Sequence, residues 1–417
     1  MNFEIITLGC KVNAYESEIM RELLIKDGYK ENKEKPDIVI INTCSVTNMA
    51  DSKSKKMVRR YKRENPNTIL VVCGCSSQNN QSVYEEMDID ILLGNRDKSK
   101  IVSIINEYKN NKERYIKFYN NRNLDFEDMA VDKFTSHTRA FVKIQDGCNN
   151  FCSYCIIPYV RGDIRSKNFD EAINEITELV KNGHKEIVLT GIHTGSYGHG
   201  LGYDLTDLIH EISKLENLER IRISSIEITE LNDKFLNELK INKKICDHLH
   251  IPLQAGSDEI LKRMNRKYNL DYFFDKIAKI RKIRPNINIS TDVIVGHPYE
   301  TLELFNTTID TCKKIKFSKI HVFPYSKRDG TASSRMPNQV EESEKKRRSK
   351  ELVELSNVLE KEYASIFIGD TLTVLIEENV DNYSVGHTSN FIKLKIPGKL
   401  DLNKNYNITV EKSMIDY

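Results

Sequence analysis

Six alternations of a strand-like and a helix-like segment, beginning at Arg139, constrain the fold of this chain more than any other feature. Short apolar segments alternate with amphipathic stretches of helical period, which is typical of β/α units built around a parallel sheet. The strand-like segments are FVKIQ, EIVLTG, RIRISS, HLHIPL, STDVIVG and KIHVFP. Six such units predict a partial (β/α)6 barrel in residues 139–350, with its functional site at the carboxyl ends of the strands.

A second α/β region precedes the barrel. A chain of 417 residues exceeds what one hydrophobic core usually organises, so more than one domain is expected. The apolar segments EIITL, DIVIIN and TILVV are separated by helical patterns, which predicts an open parallel α/β sheet in residues 1–115. Each segment ends at or just before a cysteine, and ligands in such sheets bind at the carboxyl ends of the strands. We therefore expect Cys10, Cys44 and either Cys73 or Cys75 to converge.

The remaining segments predict a linker and a small third domain. Residues 116–138 are polar and show no clear period, which is typical of a linker. A charged helical stretch follows the barrel, and residues 358–417 combine strand composition with Gly and Asn turns. This composition predicts a small antiparallel β-barrel. The expected fold class is therefore α/β with an antiparallel C-terminal addition.

Charge and cysteine usage indicate a cytoplasmic protein with metal chemistry. The net charge is only +2, so affinity for a polyanion must come from clustered charge. No apolar stretch approaches the ~20 residues needed to cross a bilayer, and the N-terminus lacks the pattern of a signal peptide. Nine cysteines, an odd number and unevenly clustered, indicate metal ligands or catalysis rather than disulfides. Cys246 and Cys312 lie outside the clusters, and we expect them in the core.

The segment GCNNFCSYC, just after the first barrel strand, contains three cysteines in the pattern CxxxCxxC, namely Cys148, Cys152 and Cys155. An iron–sulfur cube has four irons, so three thiolates leave one iron free to bind another ligand. A structural zinc site usually has four protein ligands, and no fourth is evident nearby. A zinc or purely structural role is therefore the weaker alternative.

This motif, with Tyr154 before its last cysteine and a partial β/α barrel around it, resembles the radical S-adenosylmethionine superfamily. The resemblance implies a 4Fe-4S cluster whose open iron binds S-adenosylmethionine, which is cleaved to a 5′-deoxyadenosyl radical held close to an unreactive C–H bond. By motif position it also implies the residues that bind the cofactor, which are Tyr154, Thr190, Gly191, Ser225, Glu227, Gln254 and Asp292. The alternative for each is a polar residue at the barrel rim with a local hydrogen-bond partner.

Three N-terminal motifs, TLGCKVN, INTCSVTNMADSKSK and VVCGCSSQ, are similar to those of the methylthiotransferases. In that family three cysteines hold a second 4Fe-4S cluster, which carries the sulfur to be inserted. The resemblance implies Cys10, Cys44 and Cys75 as its ligands, with Cys73 left as an alternative to Cys75. Buried, purely apolar cysteines are the structural alternative. The segment GHPYET at 296–301 departs from the family pattern GFPGET.

The motif LGCKVN resembles the tRNA branch of the family, which acts on N6-threonylcarbamoyladenosine. The resemblance implies that a methylthio group replaces the hydrogen on carbon 2 of this nucleoside, 3′ of the anticodon. The implied partners are a tRNA anticodon stem-loop and an external electron donor, and we expect a monomer. Action on isopentenyl-modified adenosine or on a ribosomal-protein aspartate stays open, as does a non-catalytic iron–sulfur RNA-binding redox sensor.

Two further segments predict contact with RNA. The stretch SKSKKMVRRYKR at 52–63 holds seven basic residues and no acid, and on a helix these cations repel each other unless a phosphate chain lies nearby. The expected RNA-binding residues are Lys55, Lys56, Arg59, Arg60 and Arg63, with a solvated helix face as the alternative. The segments GDTLTVLIEENV and GHTSNFIKL resemble the TRAM β-barrel of RNA-modifying enzymes. In this barrel Tyr383 and Phe391 are candidates for stacking on bases, with a place in the core as the equal alternative.

Overall fold

A six-stranded parallel sheet forms the N-terminal domain of the computed structural model, which describes residues 1–45, 47–134 and 137–417. Its strands are β1 (Asn2–Thr7), β2 (Lys30–Glu31), β3 (Ile38–Thr43), β4 (Ile69–Gly74), β5 (Ile91–Leu93) and β6 (Tyr115–Lys117), and its helices are α1 (Lys11–Lys26), α2 (Asn48–Glu64), α3 (Cys75–Asn79), α4 (Gln81–Glu85) and α5 (Ile101–Asn111). The strand order is β2-β1-β3-β4-β5-β6. Apolar clusters cover both faces of the sheet, which explains why the central strands are apolar throughout. The predicted open α/β sheet is confirmed.

The barrel domain contains all six predicted strands. Its strands are β7 (Ala140–Lys143), β8 (Gln145–Asp146), β9 (Arg165–Ser166), β10 (Glu186–Thr190), β11 (Arg220–Ile223), β12 (His248–His250), β13 (Asn288–Val295) and β14 (Lys319–Pro324). Its helices are α6 (Ile157–Arg161), α7 (Phe169–Lys181), α8 (Leu205–Ile212), α9 (Asp233–Ile241), α10 (Asp258–Arg263), α11 (Leu270–Ile283) and α12 (Leu302–Ile315). The predicted strands pair in parallel as two sheets, β11-β10-β7 and β12-β13-β14, which an isolated bridge between Ile221 and Ile245 connects. The short antiparallel pair β8 and β9 and the helix α10 were not predicted.

The segment predicted as a linker packs against the barrel. Strand β6 extends into this segment as far as Lys117. The hydroxyl of Tyr15, on α1, donates a hydrogen bond to the Met129 carbonyl oxygen at 2.8 Å. Apolar residues of the segment join the barrel core, namely Met129, Val131 and Phe134. The connection is therefore structured, although Thr135 and Ser136, like Val46 of the second cysteine motif, lie outside the described residues.

A long helix, α13 (Glu342–Ser365), leads to a four-stranded antiparallel sheet, whose strands are β15 (Thr371–Val380), β16 (Tyr383–Thr388), β17 (Lys393–Pro397) and β18 (Asn405–Thr409). Their order is β17-β16-β15-β18, which confirms an antiparallel C-terminal domain. The turn between β16 and β17 contains Phe391, which adopts a left-handed conformation with a φ of 64°. Within the described ranges, no helix is long and apolar enough to cross a membrane.

The C-terminal domain packs against the amino ends of the barrel strands, away from the CxxxCxxC motif. Arg220, the first residue of β11, donates a hydrogen bond to the Thr373 carbonyl oxygen at 2.6 Å. The guanidinium of Arg222 lies 4.7 Å from the centre of the Phe391 ring. Phe391 is therefore an interdomain packing residue rather than the base-stacking residue proposed from sequence. Tyr383 remains 38% exposed.

A buried carboxylate on α1 joins the N-terminal domain to the barrel. Glu16 lies 2.7 Å from Lys98 Nζ in its own domain. Across the domain boundary it lies 2.9 Å from Lys143 Nζ and 2.7 Å from Arg161 Nη1. Burial disfavours the charged form of Glu16, but the three surrounding cations hold its pKa well below the usual value. The carboxylate is therefore ionised and ties the two domains together.

We expect Glu16→Ala to lower the free energy of unfolding by about 3–5 kcal/mol, because Lys98, Lys143 and Arg161 each lose a buried ion-pair partner. Asp146 still contacts Lys143 and Arg161 in this variant. Urea denaturation followed by circular dichroism measures this change. Glu216→Ala, in an exposed turn, is the control and should change the free energy by less than about 0.5 kcal/mol. A loss for Glu16→Ala no larger than that of the control would contradict the role of this carboxylate.

Candidate active site

The cysteines of the three N-terminal motifs follow three adjacent strands. Cys10 follows β1 and is the N-cap of α1, Cys44 directly follows β3, and Cys75 begins α3 directly after β4. A side-chain carbon at Gly9, whose φ is 100°, would lie 2.5 Å from Cys44 Sγ, so only glycine permits this close approach. Cys10 and Cys75 lie within electrostatic range of each other. The structure thus brings the N-terminal triad, Cys10, Cys44 and Cys75, to one edge of the sheet.

Cys73 and Cys75 have different environments. Cys73 lies within β4 and is fully buried in an apolar cluster, where burial raises the pKa of its thiol to about 12. Cys75 faces the barrel, and Arg161 Nε donates a hydrogen bond to its Sγ at 3.2 Å. This geometry favours Cys75 as the third member of the triad and Cys73 as a packing residue.

The barrel triad, Cys148, Cys152 and Cys155, lies on a loop shaped by backbone hydrogen bonds. The Cys148 amide donates to the Gly162 carbonyl oxygen at 3.0 Å, and the Cys155 amide donates to the Cys152 carbonyl oxygen at 2.9 Å. Phe151 has a φ of 47°, which reverses the chain direction within the loop. All three cysteines are partly exposed. Outside the two triads, Cys246 and Cys312 are buried, as expected for core residues.

Each donor set consists of three thiols, which is the donor chemistry of an iron–sulfur cluster with one open iron. A cube presents a separate iron to each thiolate, so its ligands stand apart. Burial raises the pKa of Cys152, and raises that of Cys155 to about 12, so metal binding here must displace protons from the thiols.

Both triads face a region that contains Arg328. This residue follows β14, is only 6% exposed, and lies within electrostatic range of Cys44 and Cys155. Its Nε and Nη2 atoms have no hydrogen-bond partner among the described residues. Asn48, at the start of α2, donates a hydrogen bond to the Lys327 carbonyl oxygen at 2.8 Å and so holds this loop against the N-terminal domain. One buried cation therefore lies within electrostatic range of one cysteine of each triad.

Some predicted cofactor residues surround the barrel triad. Tyr154 packs against a small apolar cluster beside the loop. Glu227 and Cys152 line a small cleft, in which Glu227 forms an ion pair with Arg266. Gln254 has a φ of 66°, a conformation uncommon for this residue type. These positions are compatible with cofactor contacts, which stay predictions.

Other predicted cofactor residues lie differently from the expectation. Thr190 ends β10 as expected, but a side-chain carbon at Gly191 would lie 2.9 Å from Gln145 Oε1, so here the glycine accommodates a protein side chain. Asp292 lies in the middle of β13 rather than at its end, and its carboxylate is 3.2 Å from His250 Nε2. The remaining predicted residue is Ser225, which lies just after β11 and is half-buried.

Sequence reasoning missed the polar residues that contact the cysteines. Arg266 Nη1 donates a hydrogen bond to Cys152 Sγ at 3.3 Å, from 114 residues further along the chain. Burial acts to lower the pKa of His193, but hydrogen bonds to Cys148 and Glu230 raise it to about 10. Neither residue stands near a cysteine motif, so no local signal pointed to them.

Helix α2 is basic, but acids just outside the predicted stretch pair with part of it. Lys55 Nζ lies 2.8 Å from Asp51, and Arg60 Nε lies 2.9 Å from Glu64. These two cations are therefore partly neutralised within the helix. Three of the predicted RNA-binding residues lie on its exposed face, Lys56, Arg59 and Arg63, although Arg63 also lies 3.8 Å from Glu64.

Comparison with known proteins identifies the family to which the chain belongs. Residues 142–312 match the Radical SAM superfamily, and residues 2–94 match a family described as uncharacterized protein family UPF0004. The chain is 42% identical over 407 residues to the threonylcarbamoyladenosine tRNA methylthiotransferase MtaB of Bacillus subtilis, covering 95% of this chain and 90% of that protein. This chain belongs to the radical SAM tRNA methylthiotransferase family. Membership implies a 4Fe-4S cluster and S-adenosylmethionine.

Other relatives in the family carry two kinds of name. The MtaB protein of Thermotoga maritima is 38% identical, covering 91% of this chain and 89% of that protein. The tRNA-2-methylthio-N(6)-dimethylallyladenosine synthase of Thermoanaerobacter sp. (strain X514) is 37% identical, covering 90% and 82%. A structure of the radical S-adenosylmethionine methyltransferase TsrM from Kitasatospora setae aligns with a TM-score of 0.58 at 12% identity, covering 80% of this chain and 76% of that one, and shows the fold alone.

The environments of Cys73 and Cys75 predict different iron contents after substitution. Wild-type protein loaded without oxygen should bind about eight irons, from two four-iron clusters. Cys75→Ala should bind about four irons, and Cys73→Ala should bind about eight, because Cys73 lies in the apolar core. Iron and sulfide assays on both variants measure this difference. The reverse pattern would identify Cys73 as the ligand.

Proposed function

We propose that this methylthiotransferase modifies carbon 2 of N6-threonylcarbamoyladenosine in the tRNA anticodon loop, and that it uses two 4Fe-4S clusters. The N-terminal and barrel triads each hold one cluster. The observation that carries this proposal is that Arg328 lies within electrostatic range of a cysteine of each triad, since the sulfur donor and the radical source must reach the same nucleoside. The identity of 42% to the Bacillus subtilis threonylcarbamoyladenosine methylthiotransferase supports this choice of nucleoside.

The two sites divide the chemistry between them. When bound, the barrel cluster and S-adenosylmethionine supply the 5′-deoxyadenosyl radical, and the N-terminal cluster supplies the sulfur. The chain contributes position and exclusion of water. Arg161 donates to Cys75 and contacts Glu16, so it fixes the N-terminal triad relative to the barrel. The side chain of Arg266 orients Cys152 at the other triad.

The substrate must present its base between the triads. Bases of an anticodon loop are already splayed, so exposing one requires little free energy. Helix α2 begins close to Cys44, and its exposed cations are suited to the phosphates that flank the target base. We assign the N-terminal domain to residues 1–115, the radical SAM core to 139–350 and the TRAM domain to 358–417, in a cytoplasmic monomer that receives electrons from an external donor.

A second candidate function is the same reaction on dimethylallyl-modified adenosine. It is supported by the 37% identity to the Thermoanaerobacter synthase of that name. Its apolar modification distinguishes this nucleoside from N6-threonylcarbamoyladenosine, which carries a carboxylate. Anticodon stem-loops with either modification therefore separate the two functions.

The reduced, cluster-loaded enzyme should convert the threonylcarbamoyl stem-loop to its methylthio derivative and leave the dimethylallyl stem-loop unchanged. Substitution of the barrel triad with alanine should abolish 5′-deoxyadenosine formation, because the radical source is lost. Alanine at the N-terminal triad should retain this cleavage but abolish methylthio product, because only the sulfur donor is lost. Mass spectrometry of the nucleosides and of 5′-deoxyadenosine measures both. Conversion of the dimethylallyl substrate alone would refute the proposed function.

The triple variant Lys56→Gln, Arg59→Gln, Arg63→Gln should weaken tRNA binding because it removes exposed cations from α2. The slope of log affinity against log salt should become shallower by about 0.7–0.9 for each lost phosphate contact. Fluorescence anisotropy across a salt series measures this slope. The control is the triple variant Lys181→Gln, Lys214→Gln, Lys240→Gln, which makes the same change in net charge on the outside of the barrel. Equal slopes for both variants would show that α2 does not contact RNA.

A further inference from the structure

Lys11 lies where the N-terminal triad meets the interior of the barrel. It directly follows Cys10 and begins α1. Its ammonium lies within electrostatic range of Cys10 and Asp292, and of His248 and His321. Asp292 on β13 is the direct neighbour of His321 on β14 in the strand register, so both side chains lie on the same face of the sheet. Lys11 therefore extends from the N-terminal triad toward the inner face of β12, β13 and β14.

The charge of Lys11 has no counterion in contact, whereas neighbouring charges do. Among the described residues, Lys11 Nζ makes no hydrogen bond or ion pair, and the side chain is exposed to solvent. The neighbouring pairs are Arg222 with Glu186 at 2.5 Å, Arg139 with Glu377 at 3.1 Å, and Asp292 with His250 at 3.2 Å. An accessible ammonium without a counterion is free to form a charge-assisted hydrogen bond with an incoming anion.

We propose that Lys11 binds the threonyl carboxylate of the substrate nucleoside and thereby determines its specificity. This inference rests on the function proposed above. The threonylcarbamoyl group is attached at N6, on the same six-membered ring as carbon 2. When carbon 2 approaches the N-terminal triad, the modification therefore stays close to the residue that follows Cys10. A hydrogen bond between ammonium and carboxylate supplies the counterion that Lys11 lacks.

The same residue disfavours the apolar substrate. A dimethylallyl group offers no hydrogen-bond acceptor, so its binding would desolvate the Lys11 ammonium without compensation. A site that hydrogen-bonds one substrate rejects an analogue without the matching group, because its own polar group is left unpaired. Lys11 thus acts by both attraction and exclusion.

Binding of three anticodon stem-loops to the full, cluster-loaded chain without reductant tests this inference. One stem-loop carries threonylcarbamoyladenosine, the second carries its neutral methyl ester, and the third carries unmodified adenosine. Wild-type protein should bind the carboxylate form about tenfold to one hundredfold more tightly than the ester, as expected for a hydrogen bond between charged groups. Lys11→Gln should bind both forms equally, and Lys11→Arg should retain the preference. Lys240→Gln, an exposed lysine on α9, is the control and should behave as wild type.

Several outcomes would overturn the inference. One is an unchanged preference for the carboxylate form in Lys11→Gln. Another is an equal loss of affinity for all three stem-loops in Lys11→Gln, which would identify a phosphate contact instead. A third is a wild-type protein that converts the threonylcarbamoyl stem-loop and yet binds it no more tightly than the ester. That result would refute the role of Lys11 in binding the carboxylate but leave the proposed function standing. Conversion of only the dimethylallyl stem-loop by wild type would refute the proposed function itself. Iron content and circular dichroism of each variant verify that it is loaded and folded.

Discussion

The contact between Glu16 and Arg161 determines how the two cysteine triads are placed. Glu16 lies on α1, the helix that Cys10 caps, and Arg161 lies at the end of α6, beyond the barrel triad. The Arg161 guanidinium contacts both Glu16 and Cys75. Both members of the ion pair are fully buried, so separating the domains would break an interaction that is strengthened by the exclusion of water. The two domains are therefore held as a unit, unlike domains joined by a small polar interface.

Local patterns in the sequence predicted the elements and the edge at which the cysteines meet. The strands after which Cys10, Cys44 and Cys75 lie were recognisable as apolar runs, and the rule for open α/β sheets placed their carboxyl ends together. What local patterns did not reveal depends on contacts between distant segments. Arg161 and Cys75 are 86 residues apart, and Phe391 meets Arg222 only because the C-terminal domain packs on the barrel. Short elements such as β5, β8 and α10 provide too few residues to show a period.

The departure from the family pattern at GHPYET is accommodated by specific contacts. Tyr299 has a φ of 69° at the position where the family pattern has glycine, a conformation that costs free energy for a side chain of this size. The guanidinium of Arg263 lies 3.8 Å from the centre of the Tyr299 ring, and this contact offsets part of that cost. His297, where the pattern has phenylalanine, is buried and has its Nε2 atom 2.8 Å from Ser333 Oγ. The loop is thus held by a cation–π contact at Tyr299, where the family pattern has a conformationally free glycine, and by a polar contact at His297, where the pattern has an apolar phenylalanine.

The cations around the N-terminal triad differ in what remains open to a ligand. Arg161 is fully engaged by Glu16, Asp146 and Cys75 and therefore has a structural role. Arg328 and Lys11 retain unpaired N–H groups among the described residues, one beside the barrel triad and the other toward the barrel interior. Thiolates carry negative charge that would repel an anionic nucleoside, and nearby cations reduce that repulsion. If the substrate is the carboxylate-bearing nucleoside proposed above, this arrangement of charge lets it approach cysteines whose own charge would otherwise repel it.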